Sequence, residues 1–166
     1  MRRLFGLLPL LLLGQAGAAS CAFQSFQQAL KWADAVALVE VQKYLPQTVN
    51  GYTRTQDMQV KVIKAYVGQL APTLTIRGDN GMAPYPYVTS YPLGTRWIIP
   101  LSKKGWPDDR PLPANVFTPV ACAGMGLIVS GPVAYGVLYQ VGRSGIAEPI
   151  ALNAFPDWLK GQQPKK

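Results

Sequence analysis

A small, mostly β barrel with one short helix near its N-terminus is the fold class that this sequence predicts. Three observations lead there. Apolar and polar residues alternate over 56–67 and again over 133–141, the period of a half-buried strand. Sixteen glycines and fifteen prolines punctuate the 166 residues between short apolar runs. One stretch, close to the start, carries clear helical spacing.

The first element stands outside the fold. Met1-Arg2-Arg3 is a short positive region, Leu4 to Leu13 is a Leu-rich run, and Ala16-Gly17-Ala18-Ala19-Ser20 are small. The run is about half of the roughly 20 residues a helix needs to cross a bilayer. This is the layout of a secretory signal peptide over residues 1–20, with cleavage expected between Ala18 and Cys21. The mature chain, residues 21 onward, carries no second apolar run of membrane length. A secreted, periplasmic or extracellular location is expected, with no transmembrane span in the mature chain.

Charge and composition exclude several kinds of chemistry. Without Arg2 and Arg3, the 16 Lys and Arg become 14 against 8 Asp and Glu, a formal charge of about +6. The charges are scattered. That balance suits an anionic surface or plain solubility, and no basic run is interleaved with aromatics as in nucleic-acid modules, so no nucleic-acid partner is expected. There is no histidine, which removes Ser-His-Asp and Cys-His catalysis. With only Cys21 and Cys122 as thiols, a Cys/His zinc site cannot be built, and no metal or cofactor is expected. In an oxidising compartment two cysteines read most simply as one disulfide.

Phe23, Phe26, Ala29, Leu30 and Ala33 recur at helical spacing, so Gln24–Trp32 is expected to be a short amphipathic helix whose stripe is core. Ala35–Val41 is apolar and β-branched and reads as a strand. Leu45–Arg54, with Pro46, Asn50 and Gly51, is a loop or wide hairpin turn. Gln56–Val67 alternates, with Met58, Val60 and Val62 on one face, and slips near Lys64-Ala65, where a bulge is expected. Thr73–Arg77 is a third strand, Leu74 and Ile76 inward, stopped by Gly78-Asp79-Asn80-Gly81. Residues 82–92 (MAPYPYVTSYP) form a long surface loop. Gly94–Leu101 is a fourth strand, which Pro100 is expected to end or to place at an edge. Lys103–Asn115 is a second long loop, and Val116–Cys122 a short strand. Gly124-Met125-Gly126 is a turn, and 133–141 a sixth strand. Ile146–Leu152 adds a seventh, and Asn153–Lys160 a short helix before a disordered basic tail ending in Lys165-Lys166. The domain is thus expected over 21–152, with 153–166 as helix and tail.

The order of these pieces resembles the netrin-like family that includes the tissue inhibitors of metalloproteinases, and its bacterial relatives. The residues that carry the resemblance are Cys21, Gln27-Gln28-Ala29, Ala33-Asp34-Ala35-Val36 and Val60 through Gly68. They continue with Leu74-Thr75-Ile76, Gly94 through Ile99, and Ala121-Cys122. The resemblance spans roughly residues 21–126. It implies an OB-fold, a closed five-stranded barrel with a helix beside it, and a disulfide between Cys21 and Cys122. The inhibitors begin with Cys-x-Cys, whose first residue presents its amine and carbonyl to the protease zinc. Here the stretch is Cys21-Ala22-Phe23, so if Cys21 matches the second of that pair, the chelating residue has no counterpart.

The expected function is a secreted, non-enzymatic module, monomeric, binding a protein or cell-surface ligand, to which the resemblance adds a relation to proteases. The candidate ligand-binding residues are Tyr85, Tyr87 and Tyr91 in one Pro-stiffened loop and Trp106 in the other, because loops on a rigid barrel carry function and Tyr and Trp are favoured anchors. The competing reading is that these rings fold back over the barrel ends. Trp32 and Trp97 are expected in the core. Two alternatives stay open: a surface lipoprotein of the same fold, lipidated on Cys21, and a secreted enzyme. For the enzyme the sequence offers only the adjacent Asp108-Asp109, which more simply read as solvated, and Asp79-Asn80-Gly81 lacks the ligand spacing of a calcium loop. No catalytic residue is assigned.

Overall fold

The computed structural model describes residues 24–50, 53–78, 86–105, 110–120, 126–141 and 144–162. In chain order the elements are α1 (Phe26–Ala29), β1 (Ala35–Tyr44), β2 (Thr48–Asn50), β3 (Thr53–Thr55), β4 (Asp57–Val67) and β5 (Thr73–Arg77). A 3₁₀ turn at Val88–Ser90 follows, then β6 (Arg96–Ser102), β7 (Lys104–Gly105), β8 (Arg110–Pro111), β9 (Val116–Pro119) and β10 (Leu127–Ser130). The chain ends in β11 (Val133–Val141), β12 (Ser144–Ala151) and α2 (Phe155–Gln162).

Strands β1, β4, β5, β9 and β6 close a ring, since β6 pairs with both β9 and β1. Counting only these five, the order around the ring is first, second, third, fifth, fourth. The third and fifth (β5 and β9) run parallel, and the other neighbours run antiparallel. The ring is an OB-fold-like barrel, as expected. Its interior is filled by alternate residues: Ala37, Val39 and Val41 of β1, Met58 and Val60 of β4, Leu74 and Ile76 of β5, Trp97, Ile99 and Leu101 of β6, and Phe117 of β9. The β4 bulge lies close to where alternation slips, with pairing to β1 stepping over Tyr66 and Ile63.

A second core lies outside the ring. Val36, Leu38 and Ile98 point outward from β1 and β6 and meet Phe26 of α1, Leu127 and Val129 of β10, Ala134 and Leu138 of β11, and Phe155 and Leu159 of α2. Both faces are therefore buried over Ala35–Val39 of β1 and Trp97–Leu101 of β6. Helix α2 belongs to this core: Phe155 packs edge-on against Tyr66 at 4.7 Å and Phe26 at 5.9 Å.

Three local features depart from expectation. First, β10 is a strand where only the turn at 124–126 was expected, and in it Leu127 and Val129 alternate with Ile128 and Ser130. Second, Pro100 is neither terminal nor on an edge but buried within β6, opposite Val36. Strands β9 and β10 run one after the other along the same side of β6, β9 from Ser102 and Leu101, β10 from Ile98 to Arg96. Pro100 lies between these two stretches, where its missing N–H deprives neither ladder, and its carbonyl still accepts from Val120 N at 3.0 Å. Third, α1 is one turn of four residues, shorter than expected, and continues as i→i+3 turns to Trp32. A capping box fixes its start: Ser25 Oγ accepts from Gln28 N and Gln28 Oε1 accepts from Ser25 N.

Two glycines are required by close approach. Gly68 has φ +78°, and a Cβ there would lie 3.0 Å from the Asp34 carbonyl oxygen; Gly126, at φ +88°, would place one 2.5 Å from that of Ile98. Asp34 itself ties the start of β1 to the end of β6. Its amide donates to Leu101 O at 2.8 Å, and its carboxylate accepts from Lys103 N at 2.7 Å.

Candidate functional site

One end of the barrel is where β1 and β5 finish and β4 and β6 begin. The segment from Pro86 to Thr95 crosses this end, and its short turn supplies two plugs. Val88 and Tyr91 insert into the barrel core, and the Tyr91 ring meets Trp97 edge-on at 5.0 Å. Gly78 leaves room for this, because a Cβ there would sit 2.6 Å from Val88 Cγ1. Hydrogen bonds pin the rest. Tyr44 Oη donates to the Tyr91 carbonyl at 2.8 Å, Gly94 N donates to Val41 O at 2.8 Å, and Val41 N donates to Thr95 O at 3.0 Å. Trp97 Nε1 donates to Thr95 Oγ1, whose hydroxyl donates in turn to Pro92 O.

Held this way, the segment turns Tyr87 and Leu93 to solvent at 59% and 54% exposure. The β2–β3 hairpin rises from the same end, between β1 and β4, and carries the exposed Val49. An aromatic and two aliphatic side chains thus project from a braced barrel end.

The sequence candidates separate here. Tyr87 is exposed as a binding residue must be. Tyr91 is 1% exposed and belongs to the barrel core, so it braces the segment and has no surface to offer a partner. Among the described residues its hydroxyl has no hydrogen-bond partner, and burial pushes its pKa well above the usual phenol value. Tyr85 and Trp106 lie outside the described residues, as do Cys21, Cys122, Asp79-Asn80-Gly81 and Asp108-Asp109. Leu93 and Val49 were not singled out from sequence. A lone aliphatic residue beside Pro and Gly gives no periodic signal to mark it.

Trp97 is core, as expected, but Trp32 is 68% exposed, which corrects its assignment to the core. It follows the last α-helical residue, Ala29, and falls outside the Phe26, Ala29, Leu30, Ala33 stripe, so the turn that ends α1 directs it to solvent.

Among the described residues, no group of three or more His, Cys, Asp or Glu is placed to hold a metal ion, and no helix is long and apolar enough to cross a membrane. No protein-family model matches the chain, and no curated protein matches it.

Proposed function

We propose that the protein is a secreted, non-enzymatic binding module of netrin-like type that presents the Tyr87–Leu93 end of its barrel to a protein ligand. The observation that carries this reading is the pairing of buried braces with exposed tips. Val88 and Tyr91 fix the backbone from inside, while Tyr87 and Leu93 stand in solvent. A segment ordered before it binds loses little conformational entropy on binding, and tyrosine is a favoured interface anchor. The netrin-like relationship draws support from the OB-like strand order and from Asp34 and Gly68, two residues of the resemblance that meet where β1 starts and β4 ends.

The test is site-specific photo-crosslinking on producing cells and in their medium. A benzophenone side chain replaces Tyr87, or Leu93, or, as a control on the barrel side, Thr73. One protein adduct of the same mass from positions 87 and 93, absent from position 73, supports the reading. No adduct at 87 and 93, or the same adducts from all three positions, refutes it.

A further inference from the structure

The large sheet ends in an open edge. Strand β12 comes last in its order, outside the five-strand ring, and among the described residues it pairs on one side only, with β11. Every residue of β12 but Ile150 is exposed, so no other described element covers it. The Leu152 amide donates to Pro132 O at 2.8 Å, which sets the phase of the ladder. Even-numbered residues of β12 turn their backbone N–H and C=O toward β11, and Gly145, Ala147, Pro149 and Ala151 turn theirs away from it. Pro149 fits that phase, since its missing N–H deprives β11 of nothing. An exposed strand edge is a template for another strand, and proteins commonly blunt it with lysine or proline. Here Pro149 blunts the C-terminal half, and the Ala151 carbonyl already accepts from Ala154 N at 3.0 Å. The half from Ser144 to Glu148 contains neither lysine nor proline, and its Gly145 and Ala147 each offer both an N–H and a carbonyl.

We propose that this half of the edge pairs with the same half of a second copy of the chain, antiparallel about a two-fold axis at Ile146, giving a weak dimer in place of the expected monomer. A two-fold contact must be self-complementary, and this stretch is. With Ile146 on the axis, Gly145 of each copy lies opposite Ala147 of the other, and each such pair exchanges two N–H···O bonds. The two Ile146 side chains, exposed in the single chain, meet in a non-hydrogen-bonded pair whose Cα atoms approach to about 4.5 Å. Glu148 lies opposite Ser144, which keeps the two carboxylates about 14 Å apart. Moving the axis to Ala147 would leave the Gly145 carbonyl facing Pro149, which has no N–H, and would set Glu148 against Ile146. Charge also favours a second copy at this edge over any other part of the surface. The mature chain has a formal charge of about +6, so two copies repel, yet none of its Lys or Arg lies in β10, β11 or β12. Five residues a side fall well short of the roughly 20–30 of a stable interface, so a dissociation constant on the order of 100 µM is expected. This contact shares no residue with the Tyr87 end and stands or falls separately from it.

The experiment is sedimentation velocity of the exported protein from about 5 to 500 µM, together with copper-catalysed oxidation of variants that gain one cysteine. The mean mass should rise toward that of a dimer as concentration rises. Ala147→Pro removes a proposed donor and should leave a monomer throughout, while Ala151→Pro, the same change beyond the paired stretch, should associate as the wild type does. Ile146→Cys should form an interchain disulfide at least about tenfold faster than Ser144→Cys, because Cα atoms about 4.5 Å apart suit the bond and the two Ser144 positions, about 14 Å apart, do not. The wild type, with Cys21 and Cys122 alone, is the blank for oxidation. If Ala147→Pro lowers the melting temperature, Ile146→Lys, which sets two cations face to face on the axis, reads the same contact. The proposal is overturned by a mass that stays monomeric across the range, by the proline-147 or lysine-146 variant associating as strongly as the wild type, or by Ser144→Cys crosslinking as fast as Ile146→Cys.

Discussion

Replacing Tyr91 by Phe and by Ala should change stability in opposite directions. The tyrosine ring fills the barrel end against Trp97, yet its hydroxyl is buried without a partner among the described residues. A buried hydroxyl with no hydrogen bond costs about 1–3 kcal/mol relative to water. Tyr91→Phe keeps the packing and removes that term, so a gain of about 1 kcal/mol is expected. Tyr91→Ala removes the ring, opens a cavity beneath the 86–95 segment and ends its contact with Trp97. An aromatic truncation of this kind should cost about 3–5 kcal/mol. Urea unfolding at neutral pH measures both, with unchanged m-values as the check that the change is in stability. Alkaline pH supplies a second reading. The folded-state pKa of Tyr91 is raised above that of an unfolded tyrosine, near 10. The stabilising linkage is therefore intact below about pH 10 and is lost as pH rises further, because the unfolded chain releases its proton first. Tyr91→Phe should lose less stability than the wild type over that range. A loss of about 1 kcal/mol or more in Tyr91→Phe at neutral pH would show that the hydroxyl has a partner, and the reading of Tyr91 as a purely apolar plug would be wrong.

Phe155→Ala should destabilise by about 3–5 kcal/mol in the same urea assay, since Phe155 is fully buried between Tyr66, Phe26 and Trp158; a change near zero would mean that α2 is an appendage. Asp57 has its pKa raised, first by burial, with Arg77 and the Gly78 amide opposing. Its linkage to folding is fully favourable below about pH 4 and is lost as pH rises through the folded value, so Asp57 should contribute a gain in urea midpoint on acidification toward that range that Asp57→Asn removes, and identical profiles for the two proteins would count against the burial argument. For the cysteines, non-reducing peptide mapping of exported protein should find Cys21 joined to Cys122, and Cys122→Ser should lower stability by about 2–5 kcal/mol; two free thiols, or a lipid on Cys21, would refute the pairing.

Much of the ring was legible because its strands obey simple periods. Met58, Val60 and Val62 alternate with Asp57, Gln59 and Lys61, so both the strand and its inward face follow from the residues alone. Segments buried on one side and exposed on the other leave that mark. Leu127 to Ser130 is as regular but only four residues long, and it follows Gly124-Met125-Gly126, so the turn signal overshadowed it. Pro100 misled because proline rules describe a strand with two continuous neighbours, and β6 has one neighbour on one side and a change of neighbour on the other. The candidate site was half legible. Proline and tyrosine marked 82–92 as a special loop, but which ring points inward depends on Trp97, Gly78 and Tyr44, brought there from other strands.

The two cores explain why the last quarter of the chain belongs with the barrel. Ala37 and Val39 of β1 line the ring while Val36 and Leu38, between and beside them, line the outer core; in β6, Trp97 and Ile99 face in while Ile98 faces out. Stripping away β10–β12 and α2 would expose Val36, Leu38 and Ile98 together, each worth about 1.5–3 kcal/mol when fully buried. That loss is a large part of the 5–15 kcal/mol by which a domain of this size is usually stable. A third, small cluster bears on the cysteines. Ala29 of α1 packs against Val120, just past the end of β9, so the described segments leading to Cys21 and to Cys122 meet on the barrel wall. A disulfide between residues four before Ser25 and two after Val120 would reinforce a contact that packing already makes. It would clamp α1, and with it Phe26, to the end of β9.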